Sequence, residues 1–194
     1  NTHHRATKEL KVKITSVTTE TFRWPRKVVI SNGKHTYTHS GMRLVKIETD
    51  EGTTGIGVCA VQPIIQATIE HLTPQLIGED PLDVERLWHK MWIPKLIGRR
   101  GLTTRAISGI DIALWDLRAK VAGMPLYKML GGYRNRMPTY VTGGYYVKGE
   151  GLKELQQEMQ DTVEMGARAV KMKIGAIPIR EDVERIKAVR EVIG

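Results

Sequence analysis

Lys171 and Lys173 are the two side chains in this 194-residue chain whose type and spacing could do acid–base chemistry. The segment Ala169-Val-Lys-Met-Lys-Ile174 alternates, so that Val170, Met172 and Ile174 face one way and Ala169, Lys171 and Lys173 the other. On a strand, the two lysine Cα atoms stand roughly 6.5–7 Å apart, because each residue rises about 3.3 Å. Ammonium groups that close repel each other. The protonated form of one becomes less favourable, and its amine can then accept a proton near neutral pH. The alternative is a solvated pair on an exposed edge strand, since Lys-x-Lys is a common pattern. The place of this pair, at the end of the second strand in a strand–helix repeat, argues against that alternative.

The repeat occupies the C-terminal part of the chain. Residues 138–142 are expected to form a strand. Residues 151–165 form a helix with Leu152, Leu155, Met159 and Val163 on one face, ended by Gly166. Residues 168–174 form the lysine strand, ended by Gly175, and residues 178–193 a helix with Val183, Ile186 and Val189 inward. A β-α-β-α order with short links predicts a parallel sheet covered by helices. In a β/α barrel the apolar side of such a strand packs on the helices and the other side points inward. Lys173 then stands next to the strand's carboxyl end, where barrel active sites sit. Both lysines are expected to point into one cleft there. Two units cannot close a barrel, which takes about eight strands and 250 residues, so the native chain is expected to continue for roughly another 150–250 residues.

The N-terminal part has a different pattern. Residues 11–24, with Val12, Ile14, Ser16 and Val17, predict a strand. Residues 25–41 are broken by Pro25, Asn32-Gly33 and Gly41 and carry Arg26, Lys27, Lys34, His35 and His39. They are expected to form a long polar loop, a mobile lid ordered fully only with ligand. Residues 42–49 and 54–61 predict two strands joined by an Asp50-Glu-Gly52 turn, completing a three-stranded antiparallel sheet. Helices are predicted from Pro63 to about residue 77, from Pro81 and Asp83 to about residue 92, and over residues 104–121. In the last, Ile107, Ile110, Leu114, Leu117 and Val121 make one buried face. Gly123 caps it, and Pro125 begins a short helical turn ending at Gly131-Gly132. The expected organisation is a disordered leader over residues 1–11, an α+β domain over 12–134, and two β/α units over 135–194.

Composition narrows the function classes. No window approaches the roughly 20 apolar residues that a membrane helix needs. Cys59 is the one cysteine, so no intrachain disulfide forms; this fits a reducing cytoplasm, and its apolar neighbours make it a core residue rather than a nucleophile. Residues 1–135 hold 20 Lys/Arg against 12 Asp/Glu, a net +8 out of the total +9, so the basic character lies in the first part. Those charges are scattered, and no basic run interleaves with aromatics. This speaks for an anionic small substrate rather than nucleic acid. His3 and His4 belong to the leader. Asp111 and Asp116 lie five apart on one helix, point in different directions, and suit packing or capping rather than a metal.

Three stretches then resemble the enolase superfamily, in its mandelate racemase and muconate-lactonizing branch. They are Ala106-Ile-Ser-Gly-Ile-Asp-Ile-Ala-Leu-Trp-Asp-Leu-Arg-Ala-Lys120 followed by Pro125-Leu-Tyr-Lys-Met-Leu-Gly-Gly132, then Leu76-Ile-Gly-Glu-Asp-Pro-Leu-Asp83, and Ala169-Val-Lys-Met-Lys-Ile-Gly175 followed by Glu181-Asp-Val-Glu-Arg-Ile-Lys-Ala-Val-Arg190. Met129 stands where the family usually has Leu. The similarity runs from about residue 12 to the end. The resemblance implies an α+β cap domain, whose loops close over the mouth of a modified (β/α) barrel, here incomplete. It implies a divalent metal, usually Mg²⁺, that grips the substrate carboxylate, a base that removes the α-proton, and an enediolate intermediate. Lys173 matches the base and Lys171 the lysine that tunes it. The metal ligands of the family are acids on the third, fourth and fifth barrel strands, expected beyond Gly194, so this segment alone is expected to be inactive. A homo-oligomer acting on a small carboxylate, without nucleic-acid or membrane partners, completes the expectation.

Within that branch the Lys-x-Lys pair serves racemisation, cycloisomerisation and dehydration. The run Ile30-Ser-Asn-Gly-Lys-His-Thr-Tyr37 is rich in hydrogen-bonding groups, which suits a polyol acid better than an apolar one. His35 follows a Ser-Asn-Gly turn, similar to the lid loop of glucarate-type dehydratases. A sugar-acid dehydratase is therefore the favoured reading, with Asn32, Lys34, His35, Thr103 and Tyr146 as candidate substrate contacts. A racemase or cycloisomerase is the alternative within the branch, and a non-catalytic interaction module the alternative from another class.

Overall fold

The computed structural model describes residues 12–92 and 101–194, and the leader expected over residues 1–11 lies outside them. The chain divides into two compact units, Asn1–Phe22 with Gly41–Tyr133, and Arg23–Ser40 with Arg134–Gly194.

The sheet is ordered β1-β2-β3, from β1 (Ile14–Ser31), β2 (Thr36–Thr49) and β3 (Thr54–Cys59), and the first unit holds residues 14–22 of β1, 41–49 of β2 and all of β3. β2 and β3 pair antiparallel with Val45 opposite Gly57, across the expected turn, where Gly52 takes φ 77°. Ile14, Val45 and Ile47 point into the core. The helices α1 (Pro63–Leu72), α2 (Val84–Trp92), α3 (Leu102–Val121) and α4 (Leu126–Met129) follow, with a 3-10 turn over Thr73–Gln75. Ile65, Ile69, Leu87, Met91, Ile107, Ile110, Leu114 and Leu117 form one core with the strands. Val121, expected on the buried stripe of α3, is instead 44% exposed, because it is the last helical residue before the chain reverses at Gly123 (φ 61°). No described helix is long and apolar enough to cross a membrane.

Two glycines let α3 lie against β3. A Cβ on Gly57 would stand 2.0 Å from the Gly109 carbonyl oxygen, and one on Gly55 would stand 2.1 Å from that of Ala113. Asp116 on α3 also accepts the Ile56 amide of β3 at 2.8 Å and the Lys120 ammonium at 2.7 Å, so its work is structural. Asp111 is half-buried, and desolvation, helped by Glu85, raises its carboxyl above the usual range. Gly57→Ala is expected to cost about 1–3 kcal/mol of stability, because helix and strand must separate to admit the methyl group. Urea unfolding checks this, and an unchanged midpoint would contradict the close approach.

Arg43 on β2 is 2% exposed. Its guanidinium donates all five hydrogens: Nε to Thr21 Oγ1 (2.9 Å), Nη1 to the carbonyls of Ala60 (3.1 Å) and Gln62 (3.0 Å), and Nη2 to the Val61 carbonyl and Gln66 Oε1 (both 3.2 Å). The link from β3 to α1 is thus wrapped around one side chain. Burial pushes the Cys59 thiol up, with Arg43 partly opposing, in keeping with a packing residue rather than a nucleophile.

The polar loop expected over residues 25–41 is instead the far part of a β-hairpin: β1 continues to Ser31 and β2 begins at Thr36. The β-branched run Val28-Val29-Ile30 and the Thr36-Tyr-Thr38 triplet outweigh the polar residues between them. Pro25, which has no amide to donate, is tolerated because β1 is an outer strand of the sheet.

In the second unit β4 (Val141–Thr142) and β5 (Val170–Lys171) pair parallel, with Thr142 opposite Lys171, and α5 (Leu152–Glu164) and α6 (Ile179–Ile193) pack on them. Both strands are shorter than expected, because β4 gives way to Gly143-Gly144, and Gly144 turns the chain with φ 57°. Leu155, Met159 and Val189 form the core, with Val170 and Met172 against it. Leu152, Val163, Val183 and Ile186, expected inward, are 38–43% exposed, since no described element covers that side of α5 and α6. The chain therefore holds a three-stranded sheet with helices, followed by two β/α units, as the sequence led one to expect.

Candidate active site

Val170 and Met172 pack onto α5 and α6, so Lys171 and Lys173 project from the opposite side of the strand. Ile174, expected with the apolar pair, is 57% exposed. Lys173 stands two residues beyond the end of β5, and its amide still reaches the Gly144 carbonyl at 3.3 Å, which continues the pairing past the strand. The Lys173 Nζ lies 5.1 Å from the centre of the Tyr145 ring, and the Lys171 Nζ lies 5.4 Å from that of Tyr140. Each ammonium faces an aromatic surface, whose negative quadrupole favours a cation. Lys171 is exposed and Lys173 half-buried.

The hairpin tip of residues 31–36 belongs to the same unit. Asn32 Oδ1 accepts the amides of Lys34 and His35, both at 2.8 Å, and the Asn32 amide donates to the His35 carbonyl at 3.0 Å. This self-bonded turn explains why Asn stands there. Asn32 Nδ2 donates to the Tyr37 hydroxyl at 2.9 Å. The Tyr37 ring meets His35 edge-on at 6.2 Å and Tyr145 at 6.4 Å, linking the tip to the aromatic surface under Lys173. Ser31 and Tyr146 exchange backbone hydrogen bonds of 2.9 and 3.0 Å. A Cβ on Gly33 would lie 2.8 Å from the Gly175 carbonyl oxygen, so the tip meets the turn that follows Lys173.

Asn32, His35, Tyr146 and Lys173 are thus brought together in one unit, with Lys34 exposed on the tip. Tyr146 serves through its backbone and its hydroxyl. The hydroxyl donates to Asp182 Oδ1 at 2.6 Å and accepts the Ala176 amide at 3.3 Å, and burial followed by that Asp182 bond raises the phenol above its usual range. Thr103 belongs to the other unit, where it is 3% exposed in the first turn of α3. Sequence reasoning missed Tyr37, Tyr140, Tyr145 and Asp182. The tyrosines flank singled-out residues, but nothing in their spacing says which ring lies under which lysine. Among the described residues no group of three or more His, Cys, Asp or Glu is placed to hold a metal ion.

Known proteins agree with this architecture. The family described as "Mandelate racemase / muconate lactonizing enzyme, N-terminal domain" matches residues 12–131. Arabinonate dehydratase of Saccharolobus solfataricus is 44% identical over 154 residues, which are 77% of this chain and 41% of the relative. D-galactarolactone cycloisomerase of Agrobacterium fabrum is 34% identical over 188 residues, 94% of this chain and 49% of the relative. The crystal structure of L-talarate/galactarate dehydratase from Salmonella typhimurium LT2, liganded with Mg and L-lyxarohydroxamate, superposes with a TM-score of 0.87 at 30% identity, covering all of this chain and 52% of that one. The chain therefore spans about half or less of the length of these proteins.

Proposed function

Because the chain belongs to the mandelate racemase/muconate lactonizing enzyme family, we propose that Lys173 is the base that removes the proton α to the carboxylate of a sugar acid, in a dehydration. The carrying observation is the placement of the Lys173 amine over Tyr145, beside a hairpin tip rich in polar groups. The neutral amine takes the α-proton, and the C–H electron pair enters the enediolate. The hydroxyl on the next carbon then leaves as water, with a proton from an acid elsewhere. The ammonium formed on Lys173 lies on the Tyr145 face, which stabilises the charge just created. Asn32 and His35 would bond the hydroxyls of a polyol chain, which an apolar lid could not do. Family membership implies Mg²⁺ for the full-length protein. The described residues do not by themselves fit a metal site.

The test is turnover of arabinonate, galactarate and talarate by the full-length protein, followed as keto-acid release. Release from at least one supports the dehydratase reading. Exchange of the α-proton without water loss supports a cycloisomerase or epimerase, which the 34% match over nearly the whole chain favours as second reading. No exchange and no product from any of them would favour an interaction module.

A further inference from the structure

Asp182 is a buried carboxylate that the proposed reaction leaves without a role. It is 7% exposed, in the first turn of α6, where the helix dipole favours negative charge. It accepts the Tyr146 hydroxyl at 2.6 Å and the Gly175 amide at 2.7 Å, both short charge-assisted bonds. Neither donor belongs to the helix core. Gly175 lies two residues after Lys173, and Tyr146 directly follows Tyr145, whose ring holds the Lys173 ammonium. Tyr146 in turn pairs with Ser31, next to Asn32 of the hairpin tip. One carboxylate therefore ties together the lysine, its aromatic surface and the polar tip.

A second layer secures the same points. Arg185 lies 3.9 Å from Asp182 Oδ1, with its guanidinium 4.4 Å above the Tyr146 ring, and donates to the Gly144 carbonyl at 2.8 Å. That carbonyl also receives the Lys173 amide, and the Gly144 amide is held by the Glu158 carboxylate at 3.1 and 3.2 Å. The rings, amides and carbonyls around Lys173 are thus held by groups on α5 and α6.

We infer that Asp182, acting through Tyr146 and Gly175, is a positioning residue that sets Lys173 and the hairpin tip in register for proton abstraction. The inference rests on Lys173 being the base. A base displaced by about 1 Å can lose on the order of 100-fold in rate while binding persists.

The experiment uses the full-length protein with its best substrate among arabinonate, galactarate and talarate. Asp182→Asn leaves a carboxamide that cannot accept both donors as well. It is expected to lower kcat about 10–100-fold with KM within about threefold, and to raise the isotope effect with α-deuterated substrate, since abstraction becomes rate-limiting. Tyr146→Phe deletes one oxygen, keeps the ring under Arg185, and serves if the first variant does not fold. Its kcat is expected to fall about 5–10-fold, and the double variant to be no slower than Asp182→Asn alone, because both break the same bond. Wild-type kcat in Tyr146→Phe, or an Asp182→Asn loss with an unchanged isotope effect, would overturn the inference. Failure of the underlying reading shows differently: Lys173→Ala would then abstract the proton normally. A dead Lys173→Ala with normal Asp182 and Tyr146 variants defeats this inference alone.

Discussion

Lys173→Ala in the full-length protein is expected to lower turnover of the proposed sugar-acid substrate by about 10²–10⁴-fold, the usual contribution of a positioned general base. The α-proton of a carboxylate is a very weak acid, so its removal needs a base held at the carbon. The alanine cannot supply one, and the Lys171 ammonium sits over Tyr140 rather than Tyr145. Substrate binding should survive, because the hairpin tip is held by Asn32 and by the Ser31–Tyr146 pairing, neither of which uses the lysine amine. The expected signature is a collapsed kcat with KM little changed. A large rise in KM at constant kcat would instead make Lys173 a binding residue.

Arg43→Ala is expected to cost roughly 3–5 kcal/mol of stability, since each partly buried acceptor left without its donor costs about 1–3 kcal/mol. The substitution opens a cavity and strips the carbonyls of Ala60, Val61 and Gln62 of their donors. The lost bonds are specific to the fork of the guanidinium, so Arg43→Lys should recover only a minor part. Urea denaturation of the three proteins measures this, and an Arg43→Ala midpoint equal to wild type would show that water satisfies the link.

The parts of the molecule that were legible in the sequence are those where one pattern decides. The buried face of α3 follows from Ile107, Ile110, Leu114 and Leu117, and the β2–β3 turn from Asp50-Glu-Gly52. The lysine face of β5 follows from strict alternation at Val170, Lys171 and Met172. The hairpin arm was misjudged because Pro25, Asn32 and Gly33 are strong local breakers. Pairing between strands outweighs them, and pairing is not a local property. Arg43 gave no signal at all, since a charged residue within a strand ordinarily marks a solvated position. Asp182 was equally silent. Its first-turn place on α6 explains its type, but only the folded chain brings Gly175 and Tyr146 to its two oxygens. Val183 and Ile186 follow helical periodicity faithfully, yet no described element covers them.

The most direct test of Lys173 as the base is the fate of the substrate α-proton in deuterium oxide, followed by NMR for wild type and Lys173→Ala with both α-epimers of the substrate. Wild type should replace or remove the α-proton of one epimer, and Lys173→Ala should leave that signal intact for as long as it is followed. Loss of the same signal at the wild-type rate in Lys173→Ala would contradict the assignment.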